Sequence, residues 1–316
     1  MTAPAGLFAS SIRPKLSGRR YQPSGGLFVV EGTVYPGAPN DPTFITDDGN
    51  GYWCGFASGA AGGVTNRADG LWHTEGIGYP ALTTPMWASA MTGRANLSTR
   101  VNAFMQSFYL AFGFFPPIIT ISWSQGDIAA MLWWTLDVLP TTGKDNWMLP
   151  YVRRMYSYGQ PIRCPGVSFG DQIAGLPGPG TQNGQITGGV GGPQDLTPAQ
   201  ANVLDPGGSG RPVIHGFNNH GDLYGAAPVG ATPWAKMPAV GAVEYSFFKI
   251  IMDPTFGDVL EVGLDLLHPI ADIEAGWNTM KFFAAGGNAP HFQYGPAMDW
   301  VVNDAVELGL SLPHSG

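Results

Sequence analysis

The chain has 316 residues, enough for one large α/β domain with a substantial core, and it is 44% hydrophobic but only 12% charged. That charge share is about half of what soluble globular proteins carry, so much of the surface must be built from Gly, Pro, Ser, Thr and Asn. A net charge of -8 with no long basic run excludes a nucleic-acid partner, because phosphate binding needs clustered Lys and Arg. Only the amino-terminal arm, with Arg13, Lys15, Arg19 and Arg20, is locally basic. Its MTAPAGLFASSIRPKLSGRR stretch has no apolar run after a basic start, so no secretory signal is expected. No apolar segment reaches the roughly 20 residues of a membrane helix, so no transmembrane segment is expected either. Cys54 and Cys164 have no metal-ligand spacing and cannot form a disulfide framework; they could pair once or stand as two isolated buried thiols.

In chain order, residues 1–23 read as an irregular arm, and residues 24–316 as a single domain. Leu27-Phe28-Val29-Val30 suits a buried parallel strand, leaving into Glu31-Gly32-Thr33. Residues 37–86, rich in Gly, Asn, Asp and Pro, read as long surface loops. From Asn96, the spacing of Val101, Phe104, Met105, Phe108 and Phe112 predicts an amphipathic helix, which Pro116-Pro117 stops. Ile118 to Ser122 follows as a β-branched strand, and Asp127 to Leu139 as a helix apolar on every side. Residues 151–158 form another candidate strand. The Gly- and Pro-dominated stretch 166–212 cannot bury a core by composition and reads as a surface insertion, with a short helix at TPAQAN. Pro212 to Phe217 resumes the strand pattern, residues 242–285 are mostly helical, and Pro296 starts a last helix. Strands alternating with helices imply a mostly parallel sheet covered on both faces.

The stretch Ile121 to Met131, ISWSQGDIAAM, sets Ser124 between the predicted strand and the buried helix. That is the placement a nucleophile elbow demands, although Ser122 stands where such turns usually carry a first glycine. Gly126 meets the need for a small residue after the serine. An activated serine requires a base and an acid that orients it, in the chain order Ser, acid, His for α/β-hydrolases. Asp222 lies just beyond the strand ending at Phe217; it is either the acid or part of a tight His220-Gly221-Asp222 turn. His215 and His220 precede it, which is the wrong order, and His73 lies far upstream. Of His268, His291 and His314, the first sits beside Pro269 in a helical stretch and the last is two residues from the end. His291 follows Gly286-Gly287-Asn288-Ala289-Pro290, a loop position able to present an imidazole. A single loop histidine is more often solvent-exposed than catalytic, and both readings stay open at this point.

Four segments carry a resemblance to a known family: LFVVEGT at 27–33, GYPALTTPMWAS at 78–89, ISWSQGDIA at 121–129 and NHGDLYGA at 219–226, with weaker support from YGQPIR at 158–163 and APHFQY at 289–294. In this order they resemble the lysin B family, the mycolylarabinogalactan esterases of mycobacteriophages, related to cutinases. The resemblance implies an α/β-hydrolase (cutinase-like) fold, with a central mostly parallel sheet, helices on both faces and a helical linker at 226–286 before the histidine. It matches Ser124 to the nucleophile, Asp222 to the acid and His291 to the base, and implies an oxyanion hole from the amides of Gln125 and a residue near Thr33. No metal or cofactor is implied.

The activity implied is a serine esterase that releases mycolic acids from arabinogalactan, or cleaves another long-chain acyl ester. It would be made in the host cytoplasm and act at the host cell envelope during lysis. Two departures stand out: Ser122 for Gly in the elbow, and Glu31 where relatives often have His before Gly-Thr. A Glu31 carboxylate aimed at the oxyanion site would oppose the developing charge, so it must turn away or be paired. Ser122 should be tolerated, since its hydroxyl can bond nearby groups. A different class of reading is a virion-associated structural or binding protein that retains the hydrolase fold, to which low charge and high Gly also point. A host cutinase-like lipase is a third, against which the missing signal and the lone cysteine pair count.

Overall fold

The computed structural model describes residues 23–33, 56–82, 85–229, 245, 248 and 289–312. The strands, in chain order, are β1 (Gly26–Val30), β2 (His73–Gly76), β3 (Ile118–Trp123), β4 (Val152–Tyr158), β5 (Thr181–Gln182), β6 (Gln185–Gly188), β7 (Ile214–Phe217) and β8 (Ala227–Pro228). Five of them form one sheet in the order β2-β1-β3-β4-β7, every neighbouring pair parallel. β1 and β3 are buried along their whole length, as strands covered on both faces must be. The helices are α1 (Phe56–Arg67), α2 (Met86–Phe112), α3 (Gln125–Trp133), α4 (Pro198–Ala201) and α5 (Gly295–Ser311).

Alternation along the strands divides the core in two. Phe28, Val30, Ile118 and Met155 pack with α2 and α3, while Leu27, Val29, Ile119, Ile121 and Tyr156 pack with α1 and α5. The strand order places a topological switch between β1 and β3: the chain leaves β1 for β2 on one side, and leaves β3 for β4 on the other. In open parallel sheets the crevice beyond the carboxyl ends at such a point is where ligands bind. Here those ends are Glu31-Gly32-Thr33 and Ser124-Gln125.

Helix α2 extends the predicted helix upstream to Met86 and ends on Gly113, whose φ of 80° lets its amide reach back to Tyr109. The expectation of loops across 37–86 is corrected by α1 and β2. Helix α1, FASGAAGGVTNR, has almost no large apolar residue and therefore no visible period. Its helical face is made of small residues: a Cβ on Gly59 would come within 2.8 Å of Met298, and one on Gly63 within 2.7 Å of Val302, so the glycines let α1 lie close on α5.

The expectation that 166–212 is a surface insertion is also corrected. The stretch sends Phe169, Val190, Leu196 and Ala201 into the core. It contains a hairpin, β5 and β6, turned by Asn183-Gly184 with φ of 52° and 76°, the two left-handed residues that a tight hairpin turn requires. β8 then pairs antiparallel with β6, so the expected linker begins as a strand. Of the helical stretch expected at 242–285, Tyr245 and Phe248 are helical, and the rest lies outside the described residues, as do the arm at 1–22, Cys54, His268 and His314. Cys164 is a buried free thiol, its pKa pushed up to about 11 by burial.

A close approach between layers lies at Gly126, in the first turn of α3. A Cβ there would sit 2.2 Å from the Val30 carbonyl oxygen and 2.3 Å from that of Glu31, both main-chain atoms that cannot move aside. Gly126→Ala should therefore lower stability by about 3 kcal/mol or more, the upper range for overpacking. Gly295→Ala, where nothing lies within 4 Å of the added carbon, should stay within about 0.5 kcal/mol. Urea denaturation of the two variants measures the contrast.

Candidate active site

Where β3 turns into α3, Ser124 caps the helix with φ 54° and ψ -122°, a region that costs a non-glycine residue of order 1–3 kcal/mol. Its neighbours hold it there. The Ser124 amide donates to the Tyr158 carbonyl at 3.1 Å, and its own carbonyl accepts from the amides of Asp127 and Ile128 at 3.0 and 3.3 Å. Close packing on the other side comes from Gly32, whose hypothetical Cβ would lie 2.7 Å from the Trp123 ring and 3.1 Å from Ser124 Cβ.

Asp222 and His291, 69 positions apart, meet directly: His291 Nδ1 lies 3.0 Å from Asp222 Oδ1 and 2.9 Å from Oδ2. A carboxylate only accepts, so Nδ1 carries the proton and Nε2 is the basic nitrogen. Both residues are buried. Burial works to raise the Asp222 carboxyl, but the His291 charge and hydrogen bond, the Tyr294 hydroxyl and the Tyr224 amide outweigh it and hold the pKa below its ordinary value. His291 sits on a short 3-10 turn, Pro290–Phe292, with its ring 5.4 Å from that of Trp123 and 4.9 Å from that of Tyr224. Gly159, with φ 55°, leaves room beneath it: a Cβ there would meet the imidazole at 2.7 Å and Asp222 Oδ2 at 2.9 Å. The histidine is thus packed beside the residue before Ser124 and against the residue after Tyr158, the acceptor of the Ser124 amide.

Gln125 and Thr33, the expected oxyanion pair, are also adjacent, because Thr33 Oγ1 donates to Gln125 Oε1 at 3.2 Å. The Gln125 side-chain amide donates to the carbonyls of Leu82 and Met86, at 3.0 and 3.1 Å, and so fixes the start of α2 against the elbow. Its backbone N–H opens α3, a position with no acceptor inside the helix. Glu31 is turned away from this corner. Its carboxylate accepts from the Ser58 amide at 2.9 Å, the Ser58 hydroxyl at 2.7 Å and the Gly32 amide at 3.2 Å, capping the start of α1. Burial raises its pKa, against these bonds, which lower it.

Ser122 is more than a crowded glycine. It pairs in register with Ser157 on β4, and both hydroxyls donate to Oδ1 of Asp127, Ser122 at 3.0 Å, with a further Ser122 contact to the Tyr156 carbonyl at 3.3 Å. Asp127, fully buried in the first turn of α3, has its pKa pushed by burial up to about 7, against the bonds from Ser157 and Ser122. The Ser122 side of this cluster was visible only as a departure from a motif; Ser157, 30 positions from Asp127, gave no local signal. Among the described residues no group of His, Cys, Asp or Glu is arranged to hold a metal ion, and no helix is long and apolar enough to cross a membrane.

No protein-family model and no curated protein sequence matches the chain. Among solved structures, lysin B from Mycobacteriophage D29 is similar over 88% of this chain and 99% of its own, with a TM-score of 0.57 and 21% identity. A cutinase-like protein from Cryptococcus sp. aligns over 74% of this chain and 97% of its own, with a TM-score of 0.41 and 16% identity. The chain has the α/β-hydrolase fold, a central parallel sheet flanked by helices, in the arrangement seen in lysin B.

The raised pKa of Asp127 has a signed consequence for stability. Below about pH 4 the carboxyl is protonated in both folded and unfolded chains; as pH rises toward 7 the unfolded chain ionises first, and folding loses stability through that window. Asp127→Asn cannot ionise. Its stability relative to the natural chain should climb by on the order of a few kcal/mol between pH 4 and pH 7 and then level off. Urea denaturation at pH 4.5, 6 and 8 reads this directly, and a difference independent of pH would contradict it.

Proposed function

We propose that the chain is a serine ester hydrolase, acting on the ester between mycolic acids and arabinogalactan or on a related long-chain acyl ester at the host cell envelope. The observation that carries this reading is the buried Asp222–His291 pair, whose imidazole lies 5.4 Å from the ring of Trp123, the residue before a serine held in a strained strand-to-helix turn. Ser124 Oγ attacks the ester carbonyl while His291 Nε2 takes its proton. Asp222 fixes the tautomer and stabilises the imidazolium that forms. The tetrahedral oxyanion is received by main-chain amides at Gln125 and near Thr33, where the first turn of α3 adds its positive end. His291 then returns the proton to the leaving alcohol, and a water repeats the sequence to free the acid.

Several features support this reading. The histidine turn, the acid loop and the elbow all lie at carboxyl ends of parallel strands, where the switch between β1 and β3 opens the sheet. The Glu31 carboxylate, which would oppose an oxyanion if aimed at it, is engaged with α1. The segments resembling lysin B supply the substrate class, and the likeness in fold to the mycobacteriophage protein is consistent with it.

Ser124→Ala, Asp222→Asn and His291→Ala should each lose on the order of a thousandfold or more of kcat on p-nitrophenyl acyl esters, with unfolding midpoints near that of the natural chain. The losses should not add in double variants, since the three act as a unit. Release of free mycolic acid from mycolyl-arabinogalactan, followed by mass spectrometry, tests the substrate. A natural chain that turns over neither substrate would leave the fold without this activity and favour a virion-associated binding role.

A further inference from the structure

Asp222 is met by more than its histidine. Tyr294, fully buried at the start of α5, donates its hydroxyl to Asp222 Oδ2 at 2.5 Å, the same oxygen that lies 2.9 Å from His291 Nδ1. The other oxygen accepts from the amides of Tyr224 at 2.9 Å and Gly225 at 3.3 Å. The phenol oxygen in turn accepts from the Asn219 amide at 3.3 Å. The Asn219 side chain donates to the carbonyls of Pro290 and Gln293, at 2.6 and 2.9 Å, so the acid loop and the histidine turn are tied at both ends of the same cluster. The Tyr294 ring is wedged between those of Phe56, at 5.8 Å, and Tyr158, at 5.7 Å, and has no freedom to leave.

We propose that Tyr294 is a positioning residue for the ester hydrolysis: its hydroxyl pins the Asp222 carboxylate and keeps it ionised, so that Oδ2 stays in place to receive His291 Nδ1 through the whole reaction. This rests on the assignment of Asp222 and His291 given above. A carboxylate buried in aromatic surroundings is costly as an anion, and each donor aimed at it lowers that cost. The phenol suits the task because it remains a donor: burial and then the neighbouring Asp222 charge raise its pKa well above the ordinary tyrosine value. The titratable groups facing the cluster are His291 and Tyr224 around Asp222, and Tyr158 from β4 and the buried Arg163 guanidinium around Tyr294; Tyr158 in turn faces Asp299 of α5 and Glu31 at the end of β1. His220, exposed in the same loop, faces Asp171.

Removing the phenol hydroxyl takes away one of the groups that hold the Asp222 pKa down, so the carboxyl protonates at higher pH and can no longer orient the imidazole there. The test is the pH profile of kcat/KM for p-nitrophenyl butyrate in the natural chain and in Tyr294→Phe, which keeps the ring. The expected result is an acidic limb moved upward by roughly one pH unit, with the loss of kcat confined to that limb and KM changed less than twofold. As a second probe, 3-fluorotyrosine at position 294, a stronger donor of nearly the same shape, should move the limb downward. If Tyr294→Phe does not fold, the fluorotyrosine chain alone decides. A uniform loss at every pH with an unmoved limb in either chain would make Tyr294 a packing residue and overturn the proposal. A natural chain with no turnover would instead remove the esterase reading on which it rests.

Discussion

The approach of α3 to β1 at Gly126 is the contact on which the rest of the molecule depends. Two main-chain carbonyls, of Val30 and Glu31, lie where a side chain would have to go. That contact holds the first turn of α3 against the end of β1 directly after Ser124, whose φ is 54°. The strain there, of order 1–3 kcal/mol, is offset by hydrogen bonds on both sides of the serine, to Tyr158 and from the amides of α3. Everything proposed for the site follows from a serine that cannot relax into the strand or the helix.

Around that corner the buried charge is arranged by donors rather than by cations. Asp222 is served by an imidazole, a phenol and two amides; Asp127 by two serine hydroxyls; Glu31 by the start of a helix. The chain is poor in Lys and Arg, and hydroxyls and amides do this work at short range. The buried Arg163 follows the same pattern, giving its protons to the Gly225 and Val167 carbonyls and the Thr187 hydroxyl, which bolts the acid loop to the Gly- and Pro-rich stretch. The two departures from the lysin B pattern are settled in these terms. Glu31 is an intramolecular helix cap, and Ser122 is a solvating group for a carboxyl that a glycine would leave with one donor fewer.

Much of this was legible along the chain. β1, β3, β4 and β7 announce themselves as apolar β-branched or aromatic runs, and the elbow as strand, serine and buried helix in succession. The order of Ser124, Asp222 and His291 narrowed the candidates before any distance was known. Helix α1 was not legible because glycine and alanine carry no hydrophobic period, and its helical face shows only when Met298 and Val302 of α5 are set against it. In the stretch 166–212 the Gly- and Pro-rich composition hides a folded pattern. Asn183-Gly184 between Thr181 and Ile186 is a hairpin signal, and one that the run of surrounding glycines obscured. Tyr294, Ser157 and Arg163 could not have been picked out, since each acts on a partner that lies between 24 and 72 positions away.

That same stretch has two kinds of glycine, and they set where the protein could accept foreign sequence. At the tip of the hairpin, nothing lies within 4 Å of a carbon added to Gly184, and the turn faces solvent. Five residues on, a carbon added to Gly189 would strike the Pro161 carbonyl oxygen at 2.3 Å, in the loop that follows β4, and the next amide, of Val190, donates to the Tyr224 carbonyl in the acid loop at 2.9 Å. A peptide epitope or a small reporter domain grafted between Asn183 and Gly184 would hang from two short strands, tied to the acid loop through the Gln182 side chain, which accepts from the Gly221 amide at 3.1 Å. The segment that looks most like filler is therefore a handle at one end and a foundation at the other.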